Sequence, residues 1–194
     1  MIKEMVIKAY NFAKTRHEGQ YRKYCSIPYF VHPKSVARII ETLTKDPEIV
    51  SAALLHDVVE DTETPLKEIE TEFSLRVAQL VDELTNKKDE LKELSKKEYL
   101  FKKFRTMSPD ALLIKLADRL HNLMFLERDL GGNAYKDFIK YYYGETLFIL
   151  TGFENDERII PRLTKYHRVL LKKIWAVLEF LKVIHNLEDL CPQE

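Results

Sequence analysis

Glycine is scarce in this chain: 194 residues contain five, at Gly19, Gly131, Gly132, Gly144 and Gly152. No Asn-Gly or Asp-Gly pair separates alternating apolar runs, so the hairpin signals of a sheet protein are missing. Cysteine is scarcer still. Cys25 and Cys191 stand far apart with no Cys-x-x-Cys spacing, which argues against a disulfide framework or a zinc ribbon and fits a reducing cytoplasm. Neither sign of charge is in excess, since 31 Lys and Arg face 31 Asp and Glu. No global field would draw in a long polyanion, and nucleic acid is not an expected partner. The amino end, MIKEMVIKAYNFAK, carries lysines through its apolar positions and lacks the unbroken core of a signal peptide or membrane span. A cytoplasmic protein without a membrane partner is expected.

What is present reads as helix almost throughout. With 45% hydrophobic and 32% charged residues the composition is that of a globular domain, and the length suits one domain with a real core. Met5, Ala9, Phe12 and Ala13 form a stripe at helical spacing that ends near His17 to Gly19. Pro33 stands near a first helical position, followed by Val36, Ile39, Ile40 and Leu43. Asp46 reads as an N-cap with Pro47 behind it, and Val50, Ala53, Leu54 and Val58 predict the buried face of a third helix that continues through LLHDVVEDTE. Thr64-Pro65 starts a short helix, and Ser74 caps another with Val77, Leu80, Val81 and Leu84. Ser108-Pro109-Asp110 opens a long helix through Leu130, stopped by Gly131-Gly132. Tyr135 to Phe153 and Ile159 to Leu187 read as closing helices. The charged stretch from Asn86 to Glu98 reads as a solvated helix or loop face. No repeat or linker is visible, so residues 1–194 are expected to form one all-α domain, with 133–194 as C-terminal packing helices and homo-oligomerisation left open.

Three polar interruptions break the apolar faces. His56 and Asp57 sit side by side between AALL and VV, where charged groups are costly unless paired or bound to metal. Glu60 and Asp61 follow one turn later. ALLIKLADRLHNLMFL embeds Asp118 and Asn122 four residues apart, and YFVHP places His32 just before a helix start. Beside the acidic pair Glu60 and Asp61, these offer two imidazoles and two carboxylates. Taken singly, His32 is more often a buried or capping histidine than a ligand, Glu60-Asp61 can simply end a helix, and Lys115 or Arg119 is more readily a surface partner of Asp118.

In chain order, HEGQYRK with PYFVHP, AALLHDVVEDT and LIKLADRLHNL resemble the motifs of the HD-domain (p)ppGpp hydrolases, the hydrolase half of the RelA/SpoT family, in its free-standing small form. The resemblance covers roughly Tyr10 to Leu126. It implies an all-α HD-domain helical bundle that hydrolyses the 3′-pyrophosphate of ppGpp or pppGpp. It further implies metal ligands His32, His56, Asp57 and Asp118, a catalytic acid pair Glu60 and Asp61, and a nucleotide pocket including Arg22, Lys23, Tyr29 and Asn122. Manganese is the metal the resemblance implies. Nitrogen and oxygen donors without thiolate suit such a hard divalent ion, and Mg²⁺, Fe²⁺ and Zn²⁺ stay open.

The chain also departs from the family. RKYCSIPY is one residue longer than the usual loop and lacks its glycine, and Met124-Phe125 replace a basic and a small polar or acidic residue. Two alternatives therefore stay open: a phosphatase acting on the NADPH 2′-phosphate or a nucleoside monophosphate, and a nucleotide-binding module without turnover.

Overall fold

A computed structural model of the chain describes residues 2–87, 94–128, 130, 132–154 and 156–187. Among these the only β pairing is an isolated antiparallel bridge between Tyr21 and Pro28; the rest is helix, turn and loop. The protein is all-α. The helices are α1 (Ile2–Arg16), α2 (Val31–Glu41), α3 (Pro47–Leu55), α4 (Val58–Asp61), α5 (Leu66–Glu72), α6 (Leu75–Leu84), α7 (Lys96–Thr106), α8 (Pro109–Phe125), α9 (Asn133–Glu154) and α10 (Lys165–His185), with a short 3₁₀ turn at Ile160–Arg162. They group into two units, one within residues 1–86 and 110–118, the other within 87–109 and 119–194.

In the first unit α3 is packed by α1, α2 and α6, and α5 packs on α6. Every residue of α3 from Ile49 to Leu55 is buried, as expected for a helix that is apolar all round. Each fully buried Leu, Ile or Val contributes about 1.5–3 kcal/mol of transfer free energy. The helix starts where the sequence predicts. Asp46 Oδ1 accepts from the Glu48 and Ile49 amides at 2.9 and 3.5 Å, and Pro47 occupies a position whose N–H would have had no partner. Ser74 caps α6 in the same way, its hydroxyl oxygen accepting from Val77 N at 3.1 Å. In α1, Ala9 and Ala13 are fully buried and Met5 and Phe12 half-buried, the stripe read from spacing.

In the second unit α9 packs against α7 and α10. Its core includes Phe104, Tyr143, Ile149, Phe153, Leu170, Ile174 and Leu178. His167 organises the start of α10: Nδ1 accepts from Thr164 N at 3.1 Å and Oγ1 at 2.7 Å, so Nε2 carries the hydrogen and donates to Pro109 O at 2.8 Å. Gly152 lets α9 approach Phe101 closely, since a Cβ there would stand 2.5 Å from Phe101 Cε2.

Three expectations are corrected. First, the third helix does not run through His56-Asp57. It ends at Leu55, His56 and Asp57 form the step, and the four-residue α4 follows. His56 Nδ1 donates to Ala53 O at 2.8 Å, capping a carbonyl that a continuing helix would have used, and Asp57 turns at φ −102°, ψ −5°. Second, α8 stops at Phe125 and not at Leu130. Side chains supply the stop: Tyr135 Oη reaches Phe125 O at 3.4 Å and His185 Nε2 donates to Leu126 O at 3.0 Å. Gly131 lies outside the described residues. Third, a helix, α7, follows the charged stretch where the sequence pattern predicts none, and Ser95 and Glu98 form a capping box at its start. Of the stretch from Asn86 to Glu98, which the sequence presents as a solvated face, residues 88–93 also lie outside the described residues.

Candidate metal centre and active site

Four side chains from three segments of the first unit converge. His32 is the second residue of α2, His56 and Asp57 form the α3–α4 step, and Asp118 lies on α8. His32 Nε2 is 3.1 Å from Asp118 Oδ1 and 3.6 Å from Asp57 Oδ2; His56 Nε2 is 3.0 Å from Asp57 Oδ2 and 4.0 Å from Asp118 Oδ1. Donor atoms bound to one divalent ion at about 2.1–2.2 Å stand about 3.0–3.6 Å apart at octahedral or tetrahedral angles, and wider angles give more. The four distances above are of that order, and His32, His56 and Asp118 each offer one ligand atom within 4.8 Å of the others, with Asp57 Oδ2 beside both imidazoles.

The imidazole chemistry fits a metal as well. Because His56 Nδ1–H is spent on Ala53 O, Nε2 of the neutral ring carries the lone pair. That nitrogen is buried without an aligned hydrogen-bond partner. A lone pair facing a carboxylate oxygen is repulsive unless a cation stands between them. Without metal the cation is a proton. Burial lowers the His56 pKa, but the charge of Asp57, followed by its hydrogen bond and Asp118, outweighs it and pushes the ring up to about 9. His32 moves down, burial outweighing Asp118. Burial would raise both carboxylates, yet His56 holds Asp57, and Lys115 holds Asp118, well below the usual range.

Neighbouring groups fix the ligands. Tyr29 Oη donates to Asp57 Oδ2 at 2.7 Å, and burial followed by the charge of Asp57 raises the phenol far above its ordinary value, so it stays a neutral donor. Lys115 Nζ lies 2.9 Å from Asp118 Oδ2, leaving Oδ1 toward the histidines. Lys115 is buried, so this is not the surface pair read from the sequence. Arg119 is buried as well, so it is not a surface charge. It pairs with Glu145 Oε1 at 2.7 Å in the second unit and lies 4.5 Å over the Tyr142 ring.

The acid pair separates into two environments. Both Glu60 oxygens accept from Asn86, Oε2 from the backbone N–H at 2.9 Å and Oε1 from Nδ2 at 3.0 Å. Nothing in a separation of 26 residues signals that contact. The Asp61 pKa is raised, by desolvation first and then by the charge of Asp57, with Tyr29 pulling the other way. Before α2 the loop is closed by Arg22 N to Ile27 O at 2.8 Å and Tyr29 N to Gln20 O at 2.9 Å. Tyr24 takes a left-handed backbone (φ 65°) in this loop that lacks the family's glycine. The Arg22 guanidinium lies 5.9 Å from the Tyr29 ring centroid, while Lys23 is exposed. Asn122 stands one turn after Asp118 on α8, within the second unit.

The family model described as HD domain matches residues 9–137. The human guanosine-3′,5′-bis(diphosphate) 3′-pyrophosphohydrolase MESH1 is 35% identical over 164 residues, covering 83% of this chain and 91% of that protein. Its mouse counterpart is 43% identical over 163 residues, covering 82% and 90%. The Escherichia coli bifunctional (p)ppGpp synthase/hydrolase SpoT is 42% identical over 125 residues, 61% of this chain and 18% of that one. A solved structure described as a metazoan SpoT orthologue that hydrolyses ppGpp superposes with a TM-score of 0.70 at 26% identity, covering 94% of this chain and 96% of the other.

Proposed function

This chain belongs to the HD-domain family, and from that membership and the geometry of its site we propose that it is a (p)ppGpp 3′-pyrophosphohydrolase. It converts ppGpp or pppGpp to GDP or GTP and pyrophosphate. The observation that carries the reading is the convergence of His32, His56, Asp57 and Asp118, with the His56 Nε2 lone pair buried and turned onto a carboxylate oxygen.

These four residues would hold a divalent ion, Mn²⁺ by family resemblance. When bound, such an ion supplies a lowered water pKa and charge neutralisation at the attacked phosphorus. The protein's own groups do the rest. Tyr29 and Lys115 each occupy one carboxylate oxygen of Asp57 and Asp118, which keeps the ligands oriented. Asp61, with its raised pKa, is the group suited to accept the proton of the attacking water. Glu60, clamped by Asn86, keeps a second lone pair on each oxygen with which to orient that water. Arg22, half-buried beside Tyr29, and the exposed Lys23 supply positive charge or a stacking plane for the nucleotide, and Asn122 a polar contact. A reducing cytoplasm is the compartment that fits.

The test is product analysis. Purified protein with Mn²⁺ is given ppGpp, pppGpp and NADPH, and pyrophosphate is resolved from orthophosphate in a preparation free of pyrophosphatase. GDP and intact pyrophosphate in equal amounts are expected. Orthophosphate as the first product rejects pyrophosphohydrolysis.

A further inference from the structure

His17 and Gln20 belong to the HEGQYRK motif, yet nothing above gives them a task. His17 is 2% exposed at the end of α1. Gln20 Nε2 donates to the Asp61 carbonyl at 2.9 Å, so the amide turns its Oε1 toward His17 Nδ1, 2.7 Å away. Nδ1 therefore carries the ring hydrogen, and Nε2 keeps a lone pair. That nitrogen is buried with no hydrogen-bond partner. The His17 ring packs on Tyr29 with centroids 5.0 Å apart, and the Gln20 carbonyl accepts Tyr29 N–H at 2.9 Å. Two residues three apart thus hold both the phenol that anchors Asp57 and the backbone that presents Asp61.

A packing role alone does not account for the imidazole. A buried polar atom left unsatisfied is destabilising, and phenylalanine at the same place would avoid that cost. We propose that His17 is a positioning residue which, through Gln20, sets Tyr29 and Asp61, and that its Nε2 accepts a hydrogen bond from an O–H donor, water or a substrate hydroxyl. The kinetic arm rests on the proposed hydrolase reading; the spectroscopic arm does not.

Nitrogen-15 NMR of the histidine rings reads the second arm without turnover. His17 is expected as the Nδ1–H tautomer with Nε2 shifted as a hydrogen-bonded acceptor. The shift is present in ligand-free protein if the donor is water, and appears only with a non-hydrolysable nucleotide analogue if it is a substrate hydroxyl. Gln20→Leu is expected to abolish the fixed tautomer. A protonated Nε2, a free Nε2 under both conditions, or a tautomer unmoved by Gln20→Leu overturns the proposal. In the kinetic arm, His17→Phe keeps the ring and loses the relay, and His17→Asn restores a donor to Gln20. We expect kcat to fall about 10-fold in His17→Phe, with KM and Mn²⁺ affinity within about threefold of wild type. His17→Asn is expected to recover part of kcat, and Gln20→Leu to add nothing to His17→Phe. Additive losses, or a loss that follows the thermal midpoint across the three variants, overturn positioning. If wild-type protein hydrolyses no nucleotide, the proposed function fails and the NMR arm still decides this one.

Discussion

Tyr29 donates its phenolic hydrogen to Asp57 Oδ2 at 2.7 Å, the same oxygen that lies 3.0 Å from His56 Nε2. Family resemblance assigns Tyr29 to the nucleotide pocket, and here its hydroxyl is spent on a candidate metal ligand. Tyr29→Phe is therefore expected to weaken Mn²⁺ binding about 10-fold, as outer groups on ligands typically do, and also to lower the thermal midpoint of metal-free protein, because a buried carboxylate loses a donor. Calorimetric titration with Mn²⁺ checks it. Unchanged affinity would mean that Asp57 needs no orienting partner.

The different surroundings of Glu60 and Asp61 divide their effects. Asp61→Asn should lower turnover about 10²-fold or more with metal and nucleotide binding retained, because it removes the proton acceptor. Glu60→Gln should in addition lower the urea midpoint, because it replaces a carboxylate that Asn86 contacts twice. Loss of Mn²⁺ binding in either variant would reassign that residue as a ligand.

Acid stability has a nameable contributor at the start of α3. Partial burial pushes the Asp46 carboxyl up, but Arg76 at 2.8 Å and the Glu48 and Ile49 amides outweigh it and hold the pKa below the ordinary value. A folded pKa below the unfolded one stabilises above the unfolded value, about 3.9, and the contribution is lost as pH falls through the folded value. Urea midpoints measured from pH 6 down to pH 2.5 should show wild type converging on Asp46→Ala at the acid end. At pH 6 the gap should be about 1 kcal/mol, the usual worth of such a cap.

Gly152→Ala should destabilise the second unit. The added Cβ would stand 2.5 and 2.8 Å from Phe101 Cε2 and Cζ, and that ring is bordered by Phe148, Phe153 and Arg105. Overpacking of this kind costs about 1–3 kcal/mol. A thermal midpoint equal to wild type would show that the ring swings aside freely.

Helices whose start is written locally were legible. Asp46-Pro47 and Ser74 announce α3 and α6, and the α1 stripe has the right period. The ends were harder, because distant groups set them. The α8 stop is made by Tyr135 and His185 taking carbonyls at Phe125 and Leu126, and no residue near 125 signals it. The break at His56-Asp57 has neither Pro nor Gly; an imidazole capping Ala53 O makes it. The α7 helix is hard to see in the sequence because its lysines mask a narrow buried face of Tyr99, Leu100 and Phe104; its local signal is the Ser95 and Glu98 capping box. In the site, the candidate ligands stood out as polar breaks in apolar runs. Asn86 on Glu60 and the burial of Lys115 could not, since both arise only when the chain has closed on itself.

The ion pair of Arg119 with Glu145 bears on where this protein can be cut. Arg119 falls inside the stretch matched by the HD-domain model, which ends at 137, while its counter-charge at 145 falls outside. Both side chains are almost fully buried, and Glu145 also accepts from Tyr141 Oη at 3.1 Å. A fragment trimmed to the matched stretch would carry a buried guanidinium and lose the enclosed Glu145 carboxylate that it pairs with, one residue from Asp118. The limits of likeness and the limits of electroneutrality do not coincide in this chain, and the second set decides what can be expressed as a stable piece.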